Sequence, residues 1–146
     1  MNKPRYIVIH HAAAPDTTTL QYTAIRRFHI EDRAWVDIGY HAGVEKVGDA
    51  YVCWYGRPAT YQGAHCPTMN QKSLGFCFVG DYTDTPPDDK MLVEAAHRVL
   101  APWCKTYNLP VERIIPHKQV RPTDCPGVLD VTLLRSIVQA EMAKEF

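Results

Sequence analysis

Ile115-Pro116-His117-Lys118-Gln119-Val120-Arg121-Pro122-Thr123-Asp124-Cys125-Pro126-Gly127 is the stretch around which the rest of this chain is organised. A short apolar run, Arg113 to Ile115, leads into it and delivers His117 to the end of a predicted strand. Pro122 and Pro126 stiffen the loop that then delivers Cys125, because proline fixes φ and removes a backbone donor. An imidazole nitrogen and a thiolate sulfur make a half-site for zinc. Two ligands do not hold a catalytic zinc, so a third has to come from elsewhere. Read alone, the pair is more simply a loop with an incidental histidine and cysteine.

Beyond this loop, Asp130 is placed to cap a last helix whose Leu133, Leu134, Ile137 and Val138 face the core. Before it, Glu112 to Pro116 reads as a short strand. Thr85-Pro86-Pro87-Asp88 opens a helix, with Thr85 as cap and proline in the first turn. Met91, Leu92, Ala95, Val99 and Leu100 form its buried stripe, and His97 points to solvent. Pro102 is expected to kink or end that helix, leaving Trp103 and Cys104 in a short extension. Ser73 to Val79 reads as a buried strand in which Cys77 is a packing residue.

Further back, Gly56 to Asn70 is irregular and carries His65 and Cys66, a pair that reads as a metal half-site or as loop chemistry and substrate contact. Gly39 to Glu45 and Tyr51 to Tyr55 are strands of a hairpin turned at Val47-Gly48-Asp49-Ala50. Leu20 to Asp32 is a helix with Leu20, Ala24, Ile25 and Phe28 as its apolar stripe and His29 as a surface or packing residue. Ala12 to Thr19 is a loop with Pro15 and Asp16. Arg5 to His11 is a strand, apolar on both faces and therefore central. Alternation points His10 and His11 to opposite faces, so one metal takes only one of them; without a metal they are one core and one surface histidine. Strands and helices are mixed along the chain. The expected fold is α/β: a central mixed β-sheet flanked by about three helices, one domain over residues 1–146.

The totals exclude several classes. Sixteen basic residues balance sixteen acidic ones, so no net field draws the chain to nucleic acid or to an anionic membrane. Hydrophobic residues make up 46% and charged residues 22%, an ordinary globular composition. No apolar run is long enough to span a bilayer, and no signal peptide is recognisable at the N-terminus. Five cysteines are an odd number without framework spacing, which fits synthesis in the reducing cytoplasm with a thiol used for something other than a disulfide.

His10, His117 and Cys125 together form a His, His, Cys set. Three protein ligands leave the fourth tetrahedral position open, the arrangement of a catalytic zinc site. Spacing alone does not bring His10 to His117. A resemblance supplies that link. Ile7-Val8-Ile9-His10-His11, Asp37-Ile38-Gly39-Tyr40-His41, Gln62-Gly63-Ala64-His65, Ser73 to Gly80 and His117 to Gly127 occur in the order found in zinc-dependent N-acetylmuramoyl-L-alanine amidases of the phage-lysozyme type. That superfamily includes the animal peptidoglycan recognition proteins, and the resemblance runs from about Tyr6 to the last helix.

The resemblance implies Zn2+ as cofactor, held by His10, His117 and Cys125. It places the family's essential tyrosine at Tyr40 and its second polar catalytic position at Thr123, where similar phage enzymes often have lysine. Tyr40 read by itself is also a strand aromatic of the core. His65 is a candidate for contact with substrate or with the developing oxyanion, and His41 is more simply structural. The strand Ser73 to Gly80 lacks the glutamate of the related cytoplasmic recycling amidases, and Cys125 stands where those have aspartate; both favour the phage and recognition-protein branch. The implied reaction is hydrolysis of the amide between N-acetylmuramic acid and L-alanine in peptidoglycan. No carboxylate pair of the kind a glycosidase needs is recognisable. The implied setting is a phage or prophage endolysin, a monomer made without a signal peptide and acting on the wall after release. Two alternatives stay open: a recognition module that binds peptidoglycan without cutting, and a regulator of a partner such as phage RNA polymerase.

Overall fold

The computed structural model describes residues 2–12 and 21–144. Its strands are β1 (Tyr6–Ala12), β2 (Ala42–Val47), β3 (Ala50–Tyr55), β4 (Ser73–Val79) and β5 (Ile114–Pro116). They form one sheet in the order β3-β2-β4-β1-β5. β1 pairs in parallel with both β4 and β5, β2 pairs in parallel with β4, and β2 and β3 form the antiparallel hairpin. The helices are α1 (Tyr22–Arg27), α2 (Asp89–Ala95), α3 (Ala101–Thr106) and α4 (Val131–Met142). This is the expected mixed α/β architecture.

The side-chain period of two sorts the sheet into two faces. Ile7 and Ile9 of β1 and Leu74, Phe76 and Phe78 of β4 join Met91, Leu92, Ala95, Val99, Leu100, Leu134 and Val138 in the main core. Phe76 stacks edge-on against Phe78 and Trp103, with ring centroids 5.0 and 6.1 Å away. The odd-out residues of the same strands, Val8, His10, Ser73, Gly75 and Cys77, face the other way. There Tyr22 and Ile25 of α1 pack on Ile38, Trp54, Cys77 and Val79. Buried Glu45 of β2 accepts the Gln21 and Tyr22 backbone N–H groups at 2.7 and 3.0 Å, holding the start of α1 by the preference of helix N-termini for negative charge.

Several local expectations are corrected. Residues 28–32 form a π turn rather than more α-helix. Ala24, in the α-helix before this turn, and Phe28 are exposed; within the turn His29 is the buried residue, its Nδ1 accepting the Gly39 N–H at 2.9 Å. Leu20 and most of the predicted loop fall in residues 13–20, outside the described residues. Gly39 to His41 precede β2 rather than belong to it. Thr85 does not cap the next helix: α2 begins at Asp89, with Asp88 in the N-cap position. Pro102 does not end the helical rod. A π turn over Ala96–Leu100 lets Ala101 N–H bond back to Ala96 O, and the proline, with no N–H to give, follows at the start of α3. Asp130 does cap α4, accepting Leu133 N–H at 3.0 Å, but Leu133 itself faces solvent. All five cysteines are free thiols. Among the described residues no helix is long and apolar enough to cross a membrane.

Candidate metal centre

Strand register brings the two histidines together. β1 and β5 run parallel with Ile9 opposite Pro116, so the next residue on each chain, His10 and His117, stand abreast at the carboxyl ends of their strands. Their ring centroids are 4.3 Å apart. His117 opens a 3-10 turn, His117–Gln119, and the loop beyond it folds back on that turn. Lys118 N–H donates to Cys125 O at 2.8 Å, and Lys118 Nζ donates to Gly127 O at 2.7 Å. Cys125 Sγ in turn accepts the backbone N–H of His11 at 3.2 Å. One ligand atom from each of His10, His117 and Cys125 lies within 4.8 Å of the other two.

Both ring nitrogens of His117 are buried without a hydrogen-bond partner among the described residues. Leaving such groups unpaired costs about 1–3 kcal/mol each, and a cation would satisfy one of them. Burial first, and then His65, His117 and His11, holds His10 well below the ordinary imidazole range. Burial, then Arg121, lowers His117 as well. Both rings are thus neutral, the form a metal takes. Burial pushes the Cys125 thiol up to about 11, against the help of the His11 N–H and Lys118. A bound cation reverses that order, because a coordinating thiol loses its proton outright. Two neutral imidazoles and a thiol form a donor set that fits zinc.

Tyr40 leans over the same centre, its ring 5.3 Å from that of His10. Burial first, then Cys77 and Cys125, holds its hydroxyl well above the ordinary phenol range, so it keeps its proton. Thr123 is exposed on the loop, and its Oγ1 accepts the Cys125 N–H at 3.2 Å. His65 stands beside the ligands with both nitrogens engaged within the protein: Nδ1 is 2.9 Å from His10 Nε2, and Nε2 is 3.2 Å from Ser73 Oγ. Burial, then His41, His117 and Arg57, lowers its pKa to about 3. His41 supports the sheet: its Nδ1 accepts the Gly75 N–H at 3.0 Å and its Nε2–H donates to Tyr61 O at 2.8 Å. His11 points away from the centre, its Nδ1 accepting the Tyr82 N–H at 3.2 Å. Sequence patterning does not single out Ser73; its only signal is a hydroxyl opening an otherwise apolar buried strand.

Comparison with known proteins adds a family. The model of the N-acetylmuramoyl-L-alanine amidase family matches residues 1–128. Peptidoglycan-recognition protein LB of Drosophila melanogaster is 35% identical over 130 residues, covering 84% of this chain and 54% of its own length. N-acetylmuramoyl-L-alanine amidase of Mus musculus is 33% identical over 141 residues, covering 90% of this chain and 26% of its own. This chain therefore spans about half the length of the first of these relatives and about a quarter of the second. The solved endolysin N-acetylmuramoyl-L-alanine amidase LysCS from Clostridium intestinale URNW superposes with a TM-score of 0.79 at 25% identity, over 94% of this chain and 85% of that one.

Proposed function

Because the chain belongs to the N-acetylmuramoyl-L-alanine amidase family, we propose that it hydrolyses the amide joining the lactyl group of N-acetylmuramic acid to L-alanine in peptidoglycan. His10, His117 and Cys125 would hold the zinc. The observation that carries this reading is the convergence of those three side chains, with both nitrogens of His117 left without a partner among the described residues. Zinc held there would supply a Lewis acid and would lower the pKa of a bound water to about 7.

The chain's own residues do the rest. Tyr40 keeps its proton and stands against His10, so its hydroxyl is the donor for the amide oxygen as that oxygen gains charge. Thr123 accepts the Cys125 N–H, which leaves its own hydroxyl hydrogen free to meet the substrate. The setting we assign is that of a phage or prophage endolysin, a monomer acting on the wall; the resemblance to an endolysin amidase supports it. A second reading, a recognition module that binds peptidoglycan without cutting, is favoured by the recognition-protein relatives. It requires binding at the same centre and no turnover.

Digestion of purified sacculi, with products identified by mass spectrometry, separates these readings. Intact stem peptides beginning with L-alanine, released from unpeptidylated glycan, are the expected products. New reducing ends, or cleavage inside the stem with the lactyl amide untouched, would end the amidase reading. Binding to sacculi without any product would select the recognition module.

A further inference from the structure

We propose that His65 and Ser73 are positioning residues: a one-way hydrogen-bond relay, anchored on the Met69 carbonyl, sets the tautomer of His10 so that its Nδ1 faces the metal. The inference rests on the metal site proposed above, but its first half concerns this chain alone.

The direction of the relay follows from counting hydrogens. Ser73 Oγ lies 2.7 Å from Met69 O. A carbonyl oxygen only accepts, so the single hydroxyl hydrogen of Ser73 goes there. Ser73 Oγ must then accept in its contact with His65 Nε2 at 3.2 Å, which places the ring hydrogen of His65 on Nε2. A neutral imidazole has one ring hydrogen, so His65 Nδ1 is bare and accepts. Its partner at 2.9 Å, His10 Nε2, therefore carries the hydrogen. The lone pair of His10 is left on Nδ1. Reversing any link would set two hydrogens, or two lone pairs, against each other.

The surroundings hold His65 to this part. Asn70 Oδ1 accepts the backbone N–H groups of His65 and Cys66 at 3.0 and 2.9 Å, fixing the loop beneath the ring. The ring lies against two glycines: a Cβ at Gly75 would come within 2.5 Å of His65 Cγ, and one at Gly63 within 2.6 Å of Cδ2. His41, whose ring centroid is 5.8 Å from that of His65, does not compete, since its own nitrogens are taken by Gly75 N–H and Tyr61 O. Arg57 spends its hydrogens on the carbonyls of Ile38, Gln62 and Asp37. His117 has no such partner among the described residues, so of the two imidazoles only His10 is set in advance. Ligating histidines are oriented by the acceptor of their other N–H, and loss of that acceptor typically costs about 10–100-fold in metal affinity.

The test reads hydrogens directly. Long-range 1H–15N spectra of the metal-free, 15N-labelled chain show which imidazole nitrogen is protonated. The expected result is Nε2–H on both His65 and His10, with zinc then shifting His10 Nδ1. His65→Ala is expected to weaken zinc binding by about 10–100-fold in competition with a chromophoric chelator. His65→Gln, whose amide oxygen can accept from His10 Nε2–H, should recover part of that loss, which a general packing defect would not. Nδ1–H on His10 in the native chain would overturn the relay, and that measurement needs no variant to fold. Unchanged zinc affinity and an unchanged His10 tautomer in His65→Ala would overturn it too. Nε2–H on both rings with no zinc uptake would uphold the relay and remove the metal reading instead.

Discussion

The backbone N–H of His11 donates to the sulfur of Cys125 at 3.2 Å, joining residues 114 positions apart. One strand end thus serves the centre twice. His10 contributes a ring from its side chain, and His11, whose own ring turns to the other face, contributes a donor from its backbone. An N–H aimed at sulfur favours the thiolate over the thiol, which is the form a metal needs.

One equivalent of zinc per chain is expected by elemental analysis of protein purified without chelator, as a single three-ligand site requires. Cys125→Ser should lose most of that metal or most of the turnover, and a chelator should abolish turnover in the native chain until zinc is restored. Full occupancy and full activity in Cys125→Ser would take Cys125 out of the centre.

Tyr40→Phe should keep fold and metal content and lose roughly 10²–10³-fold in kcat, the usual scale for one oxyanion donor. Its hydroxyl is held in the protonated, donating form by burial and by the thiols beside it. Turnover close to that of the native chain would leave Tyr40 as a packing residue against His10.

Thr123→Ala should cost less, about tenfold or below, the scale of one neutral hydrogen bond. It removes both an acceptor for the Cys125 N–H and the hydroxyl proposed above to meet the substrate. Thr123→Ser, which keeps the oxygen, should restore most of the rate; if both variants behave alike, the oxygen is not the part that matters.

Truncating Phe76 to alanine should destabilise the fold by about 3–5 kcal/mol, because the ring is fully buried between Phe78 and Trp103. Leu134→Ala should cost about 2–5 kcal/mol, while Leu133→Ala on the exposed side of α4 should stay within about 0.5 kcal/mol. Denaturant titration of the three variants checks the β4 core and the buried face of α4. A large loss at Leu133 would contradict the packing described above.

Glu141 of α4 receives Lys144 Nζ at 2.7 Å and meets His97 Nδ1 at 2.9 Å, and these bonds hold its carboxyl below the usual carboxylate range. A depressed folded-state pKa gives stability that is present above the unfolded pKa and is lost as pH falls through the folded one. Thermal melts of the native chain and of Glu141→Gln should therefore differ at neutral pH and converge in acid. A gap that stays constant from about pH 7 to about pH 2 would assign the effect to packing.

What the sequence by itself determined is what depends on local pattern. β-branched and apolar runs marked β1 and β4, the Gly48 turn marked the hairpin, and the stripe from Met91 to Leu100 marked the buried face of α2 and the turn after it, since side-chain period and turn chemistry act within a few residues. The ordered motifs also carried the family, and with it the candidates His10, Tyr40, His65, His117, Thr123 and Cys125. Spacing could not say that His10 faces His117. That follows from parallel pairing of β1 with β5, a contact between segments more than a hundred residues apart whose register lies in neither. Nor could it foresee the π turns, where a helix absorbs Pro102 or turns His29 inward at the expense of Phe28, because the choice is made by what packs on each face. Least legible was the use of His65 and Ser73. A hydrogen bond's direction depends on every neighbour that can give or take a hydrogen, and only the assembled structure brings Met69 O, Ser73 Oγ, His65 and His10 into one line.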